Sequence, residues 1–87
     1  MKDFLKKLGI DGEPIKSGNL YVIDITDSDE YGKIYSRLDK SDLVEEVADS
    51  SQMTYENASI QFESDDYLIT LLADFEADNY KITIKEL

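Results

Sequence analysis

The stretch ASIQFESDDYLITLLADFEADNYKITI, residues 58–84, decides the fold of this chain. It contains three successive segments, here called phases, in which apolar and polar residues alternate. This alternation is typical of strands with one buried face. The phases are Ala58, Ile60 and Phe62, then Tyr67, Ile69, Leu71, Ala73 and Phe75, then Tyr80, Ile82 and Ile84. Ser64-Asp65-Asp66 and Glu76-Ala77-Asp78-Asn79 separate the phases and have the composition of hairpin loops. The pattern predicts three antiparallel strands in a meander.

Two further strand signals precede the meander. Met53 and Tyr55 extend the first strand, but their phase is shifted from that of Ile60, which predicts a bulge or a turn near Asn57. Residues 20–26 are rich in β-branched residues and predict a separate strand. Its buried face comprises Tyr21, Ile23 and Ile25.

Helical spacing occurs in the first half of the chain. Residues 2–8 predict a short amphipathic helix that ends at Gly9. Asp27 or Ser28 caps a second helix, although a strand over residues 33–38 is the competing interpretation. The apolar face of that second helix comprises Tyr31, Ile34, Tyr35 and Leu38. Ser41 predicts the start of a third, brief helix, whose apolar residues are Leu43, Val44 and Val47.

These segments give the order α-β-α-α-β-β-β. With 87 residues, the chain forms one domain, residues 1–87. We expect a small two-layer α+β domain, with an antiparallel sheet of three to four strands and two to three short helices on one face.

Charge is distributed unevenly along this chain. Residues 41–80 contain eleven acidic residues and no Lys or Arg, and they account for the whole net charge of −11. The remaining residues balance, with nine basic against nine acidic. Such segregation bears on partners and solubility rather than on fold, since a solvated surface normally mixes both signs.

Two residue types are missing, and their absence excludes several chemistries. The chain has no His and no Cys, so it cannot build a Ser-His-Asp or Cys-His site or a usual structural zinc site. No glycine-rich phosphate loop is present. Carboxylate pairs of the kind that hydrolyse sugars are inevitable by chance among twenty acids. We therefore expect no enzyme, no cofactor, no membrane span and a cytoplasmic location.

Two segments begin like calcium-binding loops. Residues 27–32 have acids at positions 1 and 3 and Gly32 at position 6, but Leu38 stands where a bidentate Glu is required. Residues 74–78 also carry alternate acids, but Lys85 occupies the twelfth position. A helix cap and a hairpin loop explain the two segments better, so no metal site is predicted.

The acidic surface favours a basic partner and repels phosphates, so direct nucleic-acid binding is not expected. Outward positions i and i+2 on a strand are about 6.6–6.8 Å apart, close to the phosphate spacing along a DNA strand. In charge, length, α+β pattern and lack of His and Cys, the chain resembles small DNA-mimic inhibitors of bacteriophages, including some anti-CRISPR proteins. Tyr21-Val22-Ile23-Asp24 before an acid-capped helix is similar to a segment of one of them. No functional residue carries over from that resemblance.

The sequence thus predicts a non-catalytic protein that occludes a basic, nucleic-acid-binding surface of a partner protein. The alternative is a small housekeeping or phage-encoded interaction protein whose acidity serves solubility and which binds through a tyrosine patch. The predicted partner-binding residues are Glu45, Glu46, Tyr55, Glu56, Glu63, Asp65, Asp66, Asp74, Glu76 and Asp78.

Overall fold

A computed structural model describes residues 2–10 and 12–87. Within these residues the chain forms two helices and seven strands. In chain order they are α1 (Lys2–Leu8), β1 (Ile15–Ser17), β2 (Leu20–Ile25), α2 (Ser28–Lys40), β3 (Glu45–Glu46), β4 (Gln52–Met53), β5 (Asn57–Glu63), β6 (Tyr67–Asp74) and β7 (Asn79–Glu86).

All seven strands belong to one antiparallel sheet. Its order is β1-β2-β7-β6-β5-β3, and β4 also pairs with β5. The α+β class and the meander β5-β6-β7 are confirmed, and β2 adds to β7 as an edge of that meander. The expected count of three to four strands was too low, because three short strands, β1, β3 and β4, extend the sheet at both edges.

The register places the predicted apolar phases on one face. Ile23 lies opposite Ile82, Leu71 lies opposite both Ile82 and Ile60, and the four side chains form a row across four strands. All four are buried. Four residues of the helices, Leu5, Leu8, Ile34 and Leu38, belong to the same core. The helices therefore cover one sheet face, as the two-layer prediction requires.

The helix predicted from Ser41 is wrong. Ser41 ends α2 instead: its N–H donates to the carbonyl of Leu38 at 3.2 Å. The chain then becomes extended and pairs with the edge of β5, where the Val47 N–H donates to the carbonyl of Gln61 at 2.9 Å. Sheet pairing satisfies the backbone of this acidic segment, which would otherwise place Asp49 at the negative end of a helix.

Helix α2 is confirmed, and the competing strand over residues 33–38 is wrong. Asp27 is the N-cap, since its Oδ1 accepts a hydrogen bond from the Asp29 N–H at 2.9 Å. Helix α1 is also as predicted and ends at Gly9, whose φ of 74° is left-handed. The Arg37 guanidinium donates to the Gly9 carbonyl and thereby joins the two helices.

Helix α2 is the longer of the two, with 13 residues. No helix within the described part of the chain has the length and apolar character needed to cross a membrane.

Candidate functional site

Strand β5 separates the ten predicted partner-binding residues into two groups. The strand has seven residues, so its ends lie about 20 Å apart. Near its C-terminal end are Glu45, Glu46, Glu63, Asp65 and Asp66. Near its N-terminal end are Tyr55, Glu56, Asp74, Glu76 and Asp78. From the sequence we predicted that these ten residues form one surface, whereas the structure places the two groups at opposite ends of β5.

A cleft of about 570 Å³, here called the acidic cleft, lies at the C-terminal end of β5. Four carboxylate residues and no basic residue are among those that line it. The lining residues are Asp42, Leu43, Val44, Glu45, Glu63, Ser64 and Asp65. Three of the predicted residues therefore meet in one place, together with Asp42, which the sequence had placed in the first turn of a helix.

Two of these acidic residues lie opposite each other in a strand pair. Glu45 of β3 lies opposite Glu63 of β5, on the sheet face away from the helices. Side chains directly opposite in an antiparallel pair are about 4.5–5.5 Å apart at Cβ, and like charges there destabilise the pair. Because the cleft lining supplies no cation, a Lys or Arg from another molecule would relieve this repulsion.

A serine at each rim fixes the turns that carry the other two carboxylates. The Ser64 Oγ accepts hydrogen bonds from the Asp66 N–H at 3.4 Å and the Tyr67 N–H at 3.1 Å. The Ser41 Oγ accepts from the Leu43 N–H at 3.1 Å. Asp65 and Asp42 lie inside these turns and are exposed. The acidic cleft is therefore shaped by local hydrogen bonds and not only by the sheet.

Glu46 and Asp66 lie beside the cleft without lining it. Glu46 follows Glu45 in β3 and lies opposite Phe62, so it points to the helix-covered face of the sheet. The Asp66 carbonyl accepts a hydrogen bond from the Leu87 N–H at 2.9 Å, and its side chain is exposed.

At the other end of β5, two turns are joined. Thr54 organises the first, since its Oγ1 accepts from the Asn57 N–H at 3.1 Å and the Glu56 N–H at 3.3 Å. Tyr55 lies at the tip, and its side chain is fully exposed. The Phe75 N–H donates to the Glu56 carbonyl at 2.8 Å, which ties this turn to the β6–β7 turn.

The β6–β7 turn carries the last three predicted acids. The Asp74 Oδ1 accepts a hydrogen bond from the Ala77 N–H at 3.1 Å. Asp78 adopts a left-handed φ of 52° and accepts a hydrogen bond from the Tyr80 hydroxyl at 3.0 Å. Glu76 is exposed between them.

An apolar groove of about 310 Å³, which we did not predict from the sequence, lies between α2 and the β4–β5 edge. It is lined by Tyr31, Gly32, Tyr35, Ser51, Gln52, Met53, Ala58, Ser59, Ile60 and Phe75. Met53 was predicted to extend the first strand of the meander, but it belongs to the separate strand β4. The phase shift at Asn57 signalled a turn, and the structure has that turn at residues 54–57.

Three tyrosines have pKa values above the usual value of 10.0. Burial raises the pKa of Tyr80, and its hydrogen bond to Asp78 raises it further. Burial is also the main cause at Tyr31, whose ring lies 5.1 Å from that of Tyr80. At Tyr21 the main cause is the hydrogen bond to Glu86. The neutral phenol is thus the favoured form at these three positions.

Basic residues are concentrated in the helices. By sequence, α1 and α2 together contain six basic residues against four acidic ones. Two other lysines, Lys81 and Lys85, lie on the helix-free face of the sheet, and Lys85 lies opposite Leu68, which in turn lies opposite Glu63 of the acidic cleft. The negative field of the protein therefore originates from the acid-only part of the sheet and its loops.

Across residues 2–10 and 12–87, no group of three or more acidic side chains is arranged to hold a metal ion. No family model, curated protein or solved structure matches this chain.

Proposed function

We propose that this protein is a non-catalytic binding domain whose acidic cleft receives Lys and Arg side chains from a nucleic-acid-binding surface of a partner protein. The main support for this proposal is the pairing of Glu45 with Glu63 in a cleft that is lined by four acidic residues and no basic residue. Bound in this way, the protein occludes the basic surface and competes with nucleic acid for it.

The chemistry of the cleft supports a cationic side chain as its ligand. An Arg guanidinium donates in a fork that matches carboxylate geometry, and charge-assisted hydrogen bonds are about twice as strong as neutral ones. Two opposed carboxylates offer four acceptor oxygens to one such group. Binding there also removes the like-charge repulsion between Glu45 and Glu63, which favours the bound state further.

The net charge supports rapid, salt-sensitive association. A molecule with a charge of −11 steers towards a positive groove, and steered association weakens steeply as ionic strength rises. Glu63 and Asp65 both line the cleft, one at the end of β5 and the other in the turn that follows. A groove built for phosphates would accept these two carboxylates in place of phosphate groups.

The test is affinity capture from a bacterial lysate at low and high salt, with two matched variants. Glu63→Lys reverses a charge in the cleft, and Asp39→Lys makes the same change in net charge on the exposed surface of α2. We expect a nucleic-acid-binding protein captured at low salt by the wild type and by Asp39→Lys, but not by Glu63→Lys. Equal capture by both variants would mean that the acidity serves solubility alone.

A further inference from the structure

The apolar groove is a second, separate recognition feature, formed between α2 and the N-terminal half of β5, whereas the acidic cleft adjoins the C-terminal end of β5. Met53 is 77% exposed and Phe75 is 45% exposed, and both line it. Tyr55, fully exposed, stands on the adjoining turn. Contiguous exposed apolar side chains on a small domain mark an interaction site, and Tyr and Met are typical of such sites.

The walls of the groove are fixed by contacts within the protein. On the helix side, the Tyr31 ring packs 5.1 Å from Tyr80, and Tyr35 meets Phe62 edge-on at 6.1 Å. On the sheet side, Met53 lies opposite Ala58, and the backbone bond from Phe75 to Glu56 holds the two turns together. A preformed groove needs little ordering when a ligand enters, which favours affinity.

The size of the groove limits what it can hold. Ligand-binding cavities range from about 300 to 1,000 Å³, and a volume of about 310 Å³ is at the lower end of that range. None of the lining residues is charged, and buried Ile60 is one of them. These features suit one large apolar side chain rather than an extended cofactor.

Charge decides what must flank that side chain. On the sheet side, which belongs to the stretch without Lys or Arg, Glu56 adjoins Tyr55 and Glu76 adjoins Phe75; on the helix side, Glu30 and Lys33 adjoin the lining residues and balance each other. A second copy of this chain would bring the same acidic rim and its own charge of −11 against this one, which is repulsive. A ligand with basic residues beside its apolar side chain matches both the groove and its rim.

We infer that the apolar groove binds a polypeptide segment of the partner in which one apolar side chain is flanked by Lys or Arg. This inference rests on the proposed function for the basic character of the partner, but it involves other residues: the groove is lined by Ala58, Ser59 and Ile60 of β5, about 10–16 Å along the strand from Glu63 of the acidic cleft. The cleft provides charge recognition, and the groove adds an anchor that salt does not screen.

The test uses two fluorescein-labelled peptides with the sequences Lys-Arg-Ser-Leu-Ser-Arg-Lys and Lys-Arg-Ser-Ser-Ser-Arg-Lys. They have the same charge and differ only in the central side chain. By fluorescence anisotropy, we expect the wild-type protein to bind the leucine peptide about tenfold more tightly, the order expected for burying part of one leucine side chain. Equal affinities for the two peptides would overturn the inference.

Matched variants locate the effect. Met53→Ser with Phe75→Ser removes two exposed walls of the groove and should bring the affinity ratio of the two peptides close to one. Ile15→Ser removes a side chain that is 66% exposed on β1, at the opposite edge of the sheet, and should leave the ratio unchanged. An unchanged ratio in the double variant would overturn the inference.

Two further measurements separate this inference from the proposed function. Glu63→Lys, in the cleft, should leave the leucine-to-serine ratio unchanged even though it abolishes capture of the partner. If the wild type binds both peptides equally well while capture of the partner still depends on Glu63, the inference about the groove is wrong but the proposed function stands. Sedimentation equilibrium of the wild type should give a monomer; a dimer that Met53→Ser with Phe75→Ser dissociates would assign the groove to a second copy of the chain.

Discussion

Glu45 and Glu63 lie opposite each other in the antiparallel pairing of β3 with β5, with both carboxylates on the helix-free face of the sheet. Strand pairing normally favours opposite charges or apolar contacts at such positions. Glu45 and Glu63 line a cleft together with two other acidic residues and no basic residue. The arrangement costs stability in the free protein, and a cationic ligand would recover that cost on binding.

The first prediction concerns this pair directly. Glu45→Lys places a cation opposite Glu63 and should raise the free energy of unfolding by about 0.2–1 kcal/mol, measured by urea denaturation at low salt. Glu46→Lys makes the same charge change at the next residue, which points to the other face, opposite Phe62. If the two variants were equally stable, the Glu45–Glu63 repulsion would not be a local effect.

The second prediction concerns the same repulsion across the whole acid-only stretch. Exposed like charges repel over about 8–10 Å at physiological ionic strength, and added salt screens them. The thermal midpoint of the wild type should therefore rise as NaCl goes from near zero to a few hundred millimolar, and it should rise less in Glu45→Lys. A flat or falling midpoint would mean that the acids are dispersed or paired.

The third prediction compares two glycines. Gly9 has a left-handed φ of 74°, and a Cβ built there would lie 3.1 Å from the Arg37 Cδ. Gly9→Ala should destabilise the protein by about 1–2 kcal/mol. Gly32, inside α2, has nothing within 4 Å of a built Cβ, so Gly32→Ala should stabilise it by up to about 1 kcal/mol. Urea denaturation of both variants checks the opposite signs; equal effects would contradict the described end of α1.

The fourth prediction concerns alkaline pH. Burial and the Asp78 hydrogen bond raise the pKa of Tyr80 above 10.0 in the folded state. The unfolded chain therefore loses this proton first, so the stabilisation is complete below about pH 10 and is lost as the pH rises through the folded pKa. Tyr80→Phe should make the urea midpoint fall less steeply above pH 10. Tyr55→Phe alters a fully exposed ring and is the control; the same slope in all three proteins would contradict this role of Tyr80.

Much of the fold follows from the sequence because its signals are local. The alternation in β5, β6 and β7 lies within consecutive strands joined by short turns, and the Asp27 cap with its periodic apolar face specifies α2. The two-residue strands β3 and β4 are too short to show a period. They form because each finds a partner on the edge of β5, a relationship between distant residues that the sequence does not display.

The candidate site, like the fold, could be predicted only in part from the sequence. The acid-only stretch identified the carboxylates, but Asp42 and Glu45 were assigned to a helix, so their meeting with Glu63 and Asp65 was not foreseen. The apolar groove was missed for the same reason. Its walls come from α2, β4 and the β6–β7 turn, and only the packing of α2 against the edge of β5 brings them together.

On the proposed function, the acidic cleft and nucleic acid compete for one surface of the partner. The most direct test is a titration of the captured partner with fluorescent DNA, followed by anisotropy, in the presence of saturating amounts of this protein. We expect the wild type and Asp39→Lys to displace the DNA and Glu63→Lys to leave it bound. A partner that still binds DNA in full when saturated with the wild-type protein would contradict it.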